Sequence, residues 1–153
     1  GHCFNHIGES GWNWNDEMFA NFRMQYGLEQ TGYGVYTKGA KDSASKMYFG
    51  REILNMYKQD YEKTLATGIN DNGIHYLLAR MAGDDALGWD VYKKTFRYLH
   101  SVQYSGANNK WSRFQNFIDT LTRFAKEVHG GDVDAWDYLS DEEIASVKKS
   151  LNK

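Results

Sequence analysis

The sequence contains no proline, although average usage would place roughly eight in a chain of this length. Proline is the residue that most sharply ends or kinks a helix. Its absence lets helical segments run on and leaves punctuation to the 15 glycines. Cysteine occurs once, as Cys3, which excludes an internal disulfide. No apolar run approaches the ~20 residues needed to cross a bilayer, so no transmembrane segment is expected. No basic segment followed by an apolar one stands at the amino end, so no signal peptide is expected within these residues. A basic excess is also lacking. Lys and Arg total 18 against 20 Asp and Glu, and a formal charge of −2 argues against nucleic acid as a partner. Internal repeats, low-complexity tracts and linkers rich in Pro or Ser are absent as well.

What is present reads as one globular domain. The 153 residues match the ~100–150 at which domains are commonest, and 41% hydrophobic with 25% charged residues is an ordinary folded mix. Aromatics are abundant at 16%. The expected fold is all-α: a single helical domain over residues 1–153 with six or seven helices and one Gly/Tyr-rich loop.

The clearest helix runs from Asn109 to Val128. Trp111, Phe114, Phe117, Ile118, Leu121, Phe124 and Val128 recur at spacings of three and four, which sets them on one face. Asn109 is the N-cap and Gly130-Gly131 the stop. Burying each of those side chains contributes ~1.5–3 kcal/mol, so this helix belongs to the core. Trp89, Tyr92, Phe96 and Leu99 define a second such face, with Lys93, Lys94 and Arg97 toward water. Ile74, Leu77, Leu78 and Met81 mark a shorter helix between the Asn70-Asp71-Asn72 cluster and Gly83. A longer helix is expected from about Ser43 to Ala66, through Gly50. Met18, Phe19, Phe22 and Tyr26 form a stripe behind an Asn15-Asp16 cap, and Ser140 with Glu143 reads as a capping box before Ile144, Val147 and Leu151. Between Gly27 and Gly39 the helical pattern fails, and Tyr33, Val35 and Tyr36 among the glycines read as an extended loop or a short hairpin.

The amino end carries the chemistry. It runs Gly1-His2-Cys3-Phe4-Asn5-His6 and continues through Trp12-Asn13-Trp14-Asn15-Asp16-Glu17-Met18-Phe19-Ala20. Gly1-His2 fits the last two positions of an H-E-x-x-H helix. In that motif two histidines one turn apart bind zinc and the glutamate beside them is the general base. A third ligand is then a carboxylate on a following helix, and Glu17 lies 15 positions after His2.

This stretch resembles the region after the H-E-x-x-H helix of gluzincin metallopeptidases, above all their enhancin-like, mucin-targeting branch. There the third zinc ligand is a glutamate followed by aromatic and small residues, here Glu17-Met18-Phe19-Ala20. Leu87-Gly88-Trp89-Asp90-Val91-Tyr92-Lys93-Lys94 and Ala135-Trp136-Asp137-Tyr138-Leu139-Ser140-Asp141-Glu142 resemble later segments of the same branch. The resemblance implies the carboxyl-terminal helical subdomain of a zinc metallopeptidase cut inside its motif. Residues 1–30 would be the motif's end and the third-ligand helix, and residues 41–153 the helical bundle. Zinc would be held in the intact protein, with His2 and Glu17 as the matching ligands. The substrate would be a protein or glycoprotein, the partner the rest of the catalytic domain upstream, and the location secreted or at the cell surface. The first histidine ligand and the general-base glutamate match no residue in this sequence, so the fragment alone is expected to be inactive.

Such chemistry also needs a donor for the oxyanion of the tetrahedral intermediate. Tyr33, Tyr36, His75 and Tyr76 are candidates because they fall in or beside loops and caps. Trp12, Trp14, Tyr33 and Tyr36 are candidates for an aromatic wall that stacks on sugars or side chains. Plainer readings stand beside these. Gly1-His2 reads as a remnant of a cleaved tag, Glu17 as a first-turn carboxylate favoured by the helix dipole, and His75 as a helix-start residue with a satisfied hydrogen bond. Cys3 and His6 could join His2 in a second metal cluster, although their spacing matches no closed zinc site. His100 and His129, near helix C-termini, read as structural, a protonated imidazole suiting the dipole there. The rival reading is a metal-free helical binding or scaffold module whose aromatic loops grip a protein or glycan.

The peptidase reading carries its own check. The codons immediately upstream of Gly1 are expected to spell His-Glu-x, which sequencing of the parent reading frame tests.

Overall fold

The computed structural model describes residues 10–36 and 47–152. Among them are six α-helices: α1 (Asp16–Thr31), α2 (Leu54–Thr64), α3 (Asp71–Met81), α4 (Trp89–Ser101), α5 (Lys110–His129) and α6 (Asp141–Leu151). Two short strands, β1 (Gly34–Tyr36) and β2 (Met47–Phe49), pair antiparallel with Val35 opposite Tyr48. Single turns of 3-10 helix lie at Gly50–Ile53 and Ala135–Tyr138. The all-α class stands, and no described helix is long and apolar enough to cross a membrane.

The caps are those the sequence announces. Asn15, Asn70 and Asn109 each accept a hydrogen bond from the backbone N–H three residues on, and Ser140 and Glu143 close a reciprocal capping box on α6. Two boundaries differ from expectation. Helix α1 passes through Gly27 and stops at Gly32, whose φ of +71° turns the chain and whose N–H reaches the carbonyl of Leu28 at 3.0 Å. The long helix expected from Ser43 begins only at Leu54. Residues 43–46 lie outside the described residues, Met47–Phe49 are drawn into the hairpin, and Gly50 takes a φ of +44° that the interior of a right-handed α-helix does not accommodate. Propensity favoured a helix there, but pairing with β1 prevailed.

Helix α1 packs on α3 and on the 3-10 turn after β2, α2 lies along α3, α4 along α5, and α6 closes against α5. The α1, α4 and α5 side is filled with rings. Phe117 sits fully buried, with Phe19 at 5.5 Å, Phe96 at 5.6 Å, Trp14 at 5.7 Å and Trp12 stacked at 6.0 Å. Such pairs add to the burial energy because ring edges meet ring faces. Trp12 and Trp14 are therefore core residues at 1% and 6% exposure, which removes them from the aromatic wall expected on the surface. A short connection fixes their place: the backbone N–H of Tyr104 donates to the carbonyl of Ser10 at 2.6 Å, tying the segment before α1 to the loop after α4.

The α3–α6 junction is held by charge. Arg80 meets Glu143 at 2.8 Å and also donates to the carbonyl of Tyr138, while the Tyr61 hydroxyl donates to Glu143 at 2.7 Å. Burial works to raise the Glu143 carboxyl. The hydrogen bonds from Arg80, Ser140 and Tyr61 outweigh it and hold the group below its ordinary value. The Tyr61 hydroxyl is pushed up to about 12, by burial first and by the Glu143 carboxylate second.

Because Phe117 joins α5 to both α1 and α4, Phe117→Ala is expected to cost about 3–5 kcal/mol. Urea unfolding followed by far-UV circular dichroism measures it.

Candidate functional site

Polar residues recur every fourth position along α1: Glu17, Asn21, Gln25 and Glu29. A spacing of four keeps them on one face, and the row runs ~18 Å along the helix axis. It does not face water throughout. Glu17 is exposed in the first turn, Gln25 is completely buried, and Glu29 is half-buried. The row is knitted by its own hydrogen bonds, Asn21 donating to Glu17 at 3.4 Å and Gln25 donating to Glu29 at 2.9 Å.

Helix α3 supplies the partner in the middle. Since the Gln25 amide nitrogen is committed to a carboxylate, its oxygen faces His75, and His75 Nε2 lies 2.7 Å away. An amide oxygen only accepts, so the Nε2 carries the proton. The His75 ring is 1% exposed, and burial pushes its pKa down to about 3. It is a neutral imidazole. Tyr57 of α2 stacks flat on it, centroids 4.1 Å apart and planes 16° from parallel, and Phe22 closes the other approach at 5.4 Å. The Tyr57 hydroxyl is raised above its ordinary value, by burial first and then by the Glu17 carboxylate. Glu17 and Tyr57 thus lie within electrostatic reach of each other at the open end of the row.

The other end is anchored. Glu29 accepts from the Trp89 indole at 2.6 Å and meets Arg51 at 3.5 Å, and Arg51 donates to the carbonyl of Ala79 at 2.6 Å. The row is two hydrogen-bonded pairs, Glu17 with Asn21 and Gln25 with Glu29, the second locked by the Arg51 salt bridge and the first exposed at Glu17. Chemically, the exposed end offers a metal-ligating or proton-accepting oxygen whose charge is felt by the Tyr57 phenol.

Each residue singled out from sequence now has a place. His2, Cys3 and His6 lie outside the described residues. Glu17 stands at the N-terminus of α1, exposed, with Asn21 beside it. Tyr33 and Tyr36 are exposed at 73% and 52% on the hairpin, beyond the opposite end of α1. The fourteen residues from Glu17 to Thr31 separate them by roughly 20 Å of helix, too far for one substrate carbonyl to bridge. His75 is buried and its Nε2 proton is taken by Gln25, as the plainer reading anticipated. Tyr76 turns toward Tyr61 and Arg80 instead of Glu17. His100 Nε2 is 2.8 Å from an Arg23 nitrogen, a contact in which the guanidinium donates. His129 bonds the carbonyl of Leu87 at 2.7 Å.

Tyr57 and Gln25 were missed. In the sequence Tyr57 reads as part of an apolar stripe on α2, and only the tertiary contact with His75 gives it another role. Gln25 left a signal in the four-residue polar period of α1, running beside the aromatic one. Among the described residues, no group of three or more His, Cys, Asp or Glu side chains is placed to hold a metal. Glu17 alone does not complete a zinc site. Compared with protein-family models, with curated proteins and with solved structures, the chain matches none.

The neutral state of His75 has a measurable consequence. In the unfolded chain it titrates near 6.5, so between ~6.5 and ~3 the unfolded state binds the additional proton and stability falls as pH drops. Replacing it by His75→Asn is expected to remove about 2 kcal/mol of the stability lost between about pH 7 and about pH 5. Urea melts of the two proteins across that range measure the difference.

Proposed function

We propose that the chain is the helical part of a gluzincin-type zinc metallopeptidase, in which Glu17 is a metal-ligating carboxylate and Tyr57 the hydroxyl beside it. The observation that carries this reading is the position of Glu17. It is exposed in the first turn of α1, held by Asn21, with the phenol of Tyr57 in electrostatic range. The cost of burying Gln25 and His75 in an otherwise apolar core supports it, because buried polar groups specify geometry and this row fixes Tyr57 against α1.

The roles divide by chemistry. Zinc, when bound in the intact protein, would polarise a water and the scissile carbonyl. Glu17 would supply a carboxylate oxygen to the metal, and Asn21, which donates to it at 3.4 Å, limits its rotation. Tyr57, kept protonated, donates toward the oxygen on which charge develops. His75 and Gln25 touch no substrate and act by positioning the Tyr57 ring. The resemblance extends the proposal to protein or glycoprotein substrates, a secreted or cell-surface location, and an upstream segment that supplies the histidines and the general base.

The exposed rings of Tyr33, Tyr36 and Phe49 on the hairpin favour a second reading, a binding module whose hairpin grips a partner. Metal content separates the two. In the protein extended upstream of Gly1, stoichiometric zinc measured by plasma mass spectrometry and lost in Glu17→Gln supports the peptidase. An extended protein without zinc overturns it. Tyr57→Phe is expected to keep the zinc and lower kcat about 10²–10³-fold, the cost of one lost oxyanion donor.

A further inference from the structure

The cavity between the end of α4 and the first half of α5 is about 490 Å³, within the ~300–1,000 Å³ usual for ligand sites. It opens on the α4–α5 side of α1, whereas Tyr57 and His75 meet α1 from α2 and α3. Its chemistry is unusual for a crevice in a helical bundle. Gln103, Ser112, Gln115 and Asn116 line it, with Asp119 at one edge and the buried indole of Trp12 at its floor.

Three observations limit what fits there. Among the described residues no lysine or arginine lines the cavity itself, Arg113 lying over the Tyr104 ring at 5.8 Å, and this disfavours a phosphate or a carboxylate. The one carboxylate, Asp119, already accepts from the Trp136 indole at 2.7 Å, leaving a single oxygen for a ligand. The remaining polar lining is amides and hydroxyls. Each amide has both donor and acceptor capacity, which suits a ligand whose own groups are both donor and acceptor.

A further donor waits at the floor. The Trp12 indole nitrogen is buried, and among the described residues no group accepts its hydrogen. A buried donor without a partner costs roughly 1–3 kcal/mol, and most such groups in folded proteins are satisfied. The cavity is also preformed. The Tyr104 N–H is tied to the carbonyl of Ser10 at 2.6 Å, the Tyr104 hydroxyl to the carbonyl of Ala107 at 2.9 Å, and the Asn109 N–H to the same carbonyl at 2.8 Å. Its mouth carries the rings of Tyr98 and Tyr104, with Arg123 over the first at 4.6 Å and Arg113 over the second at 5.8 Å, so each ring offers at most one face to a C–H surface.

We propose that this cavity binds an uncharged saccharide. A sugar ring presents neutral hydroxyls at its edge and C–H groups on its faces. Gln103, Gln115 and Asn116 meet the edge, the tyrosine rings receive a face, and the Trp12 indole donates to the deepest oxygen. The site needs no metal and does not depend on the peptidase reading.

The test is a titration of the isotope-labelled protein with glucose, galactose, mannose and N-acetylglucosamine, followed by NMR. At least one sugar is expected to shift the Trp12 indole N–H and the side-chain amide signals of Gln103, Gln115 and Asn116 along one saturating curve. Gln115→Ala and Gln103→Ala, both substitutions at the cavity wall, should each weaken that binding about three- to tenfold, the loss of one uncharged hydrogen bond. Absence of a saturable shift with all four sugars overturns the proposal. So does binding that both variants leave unchanged. Equal shifts with glucuronate or with the tripeptide Gly-Ser-Gly would overturn it too, because the site would then not be selecting a neutral sugar.

Discussion

The structure depends on how Phe117 is surrounded. This one side chain of α5 lies among rings from the contiguous stretch Trp12 to Phe19 and from α4, so the amino end, α4 and α5, far apart in sequence, are fixed by a common contact. Rings are large and stiff, and a cluster in which edges meet faces has few alternative packings. That rigidity holds α1 at a set height against the bundle. Everything presented by α1, including the exposed Glu17 and the buried Gln25, takes its position from it.

Against that apolar side, the opposite face of α1 is polar. A helix bearing aromatic residues on one face and Glu17, Asn21, Gln25 and Glu29 on another is buried on both, which is unusual for a surface helix. The polar face is tolerable because its buried members are paired: Gln25 with His75 and Glu29, and Glu29 with Trp89 and Arg51. Low dielectric then works in its favour. It keeps His75 neutral and holds the Tyr57 hydroxyl above its ordinary value.

Much of the architecture is legible in the residues, for local reasons. Asparagine caps at 15, 70 and 109 and the Ser140–Glu143 box act within one turn, so their sequence signals survive folding unchanged. The α5 stripe is equally plain from Phe114 to Phe124, whose five apolar members are buried, although Val128 at its end is exposed. What failed did so where a distant partner intervened. Residues 47–49 have helix-compatible neighbours, yet β1 captures them. Trp12 and Trp14 sit in a polar, glycine-containing segment that looks like a surface loop, yet the bundle folds over them. The candidate site was half legible: Glu17 by its spacing and its place behind a cap, Tyr57 not at all.

By itself, then, the sequence determined the helical class, the caps and the stripes, because each follows from interactions among residues a few positions apart. Only the tertiary structure decided which polar groups would be buried, which tryptophans would be core, and that a phenol on α2 would stack on an imidazole from α3 that bonds an amide on α1. Those outcomes depend on which faces meet across the bundle, and hydrophobic burial, being non-directional, leaves that choice to the packing of the whole.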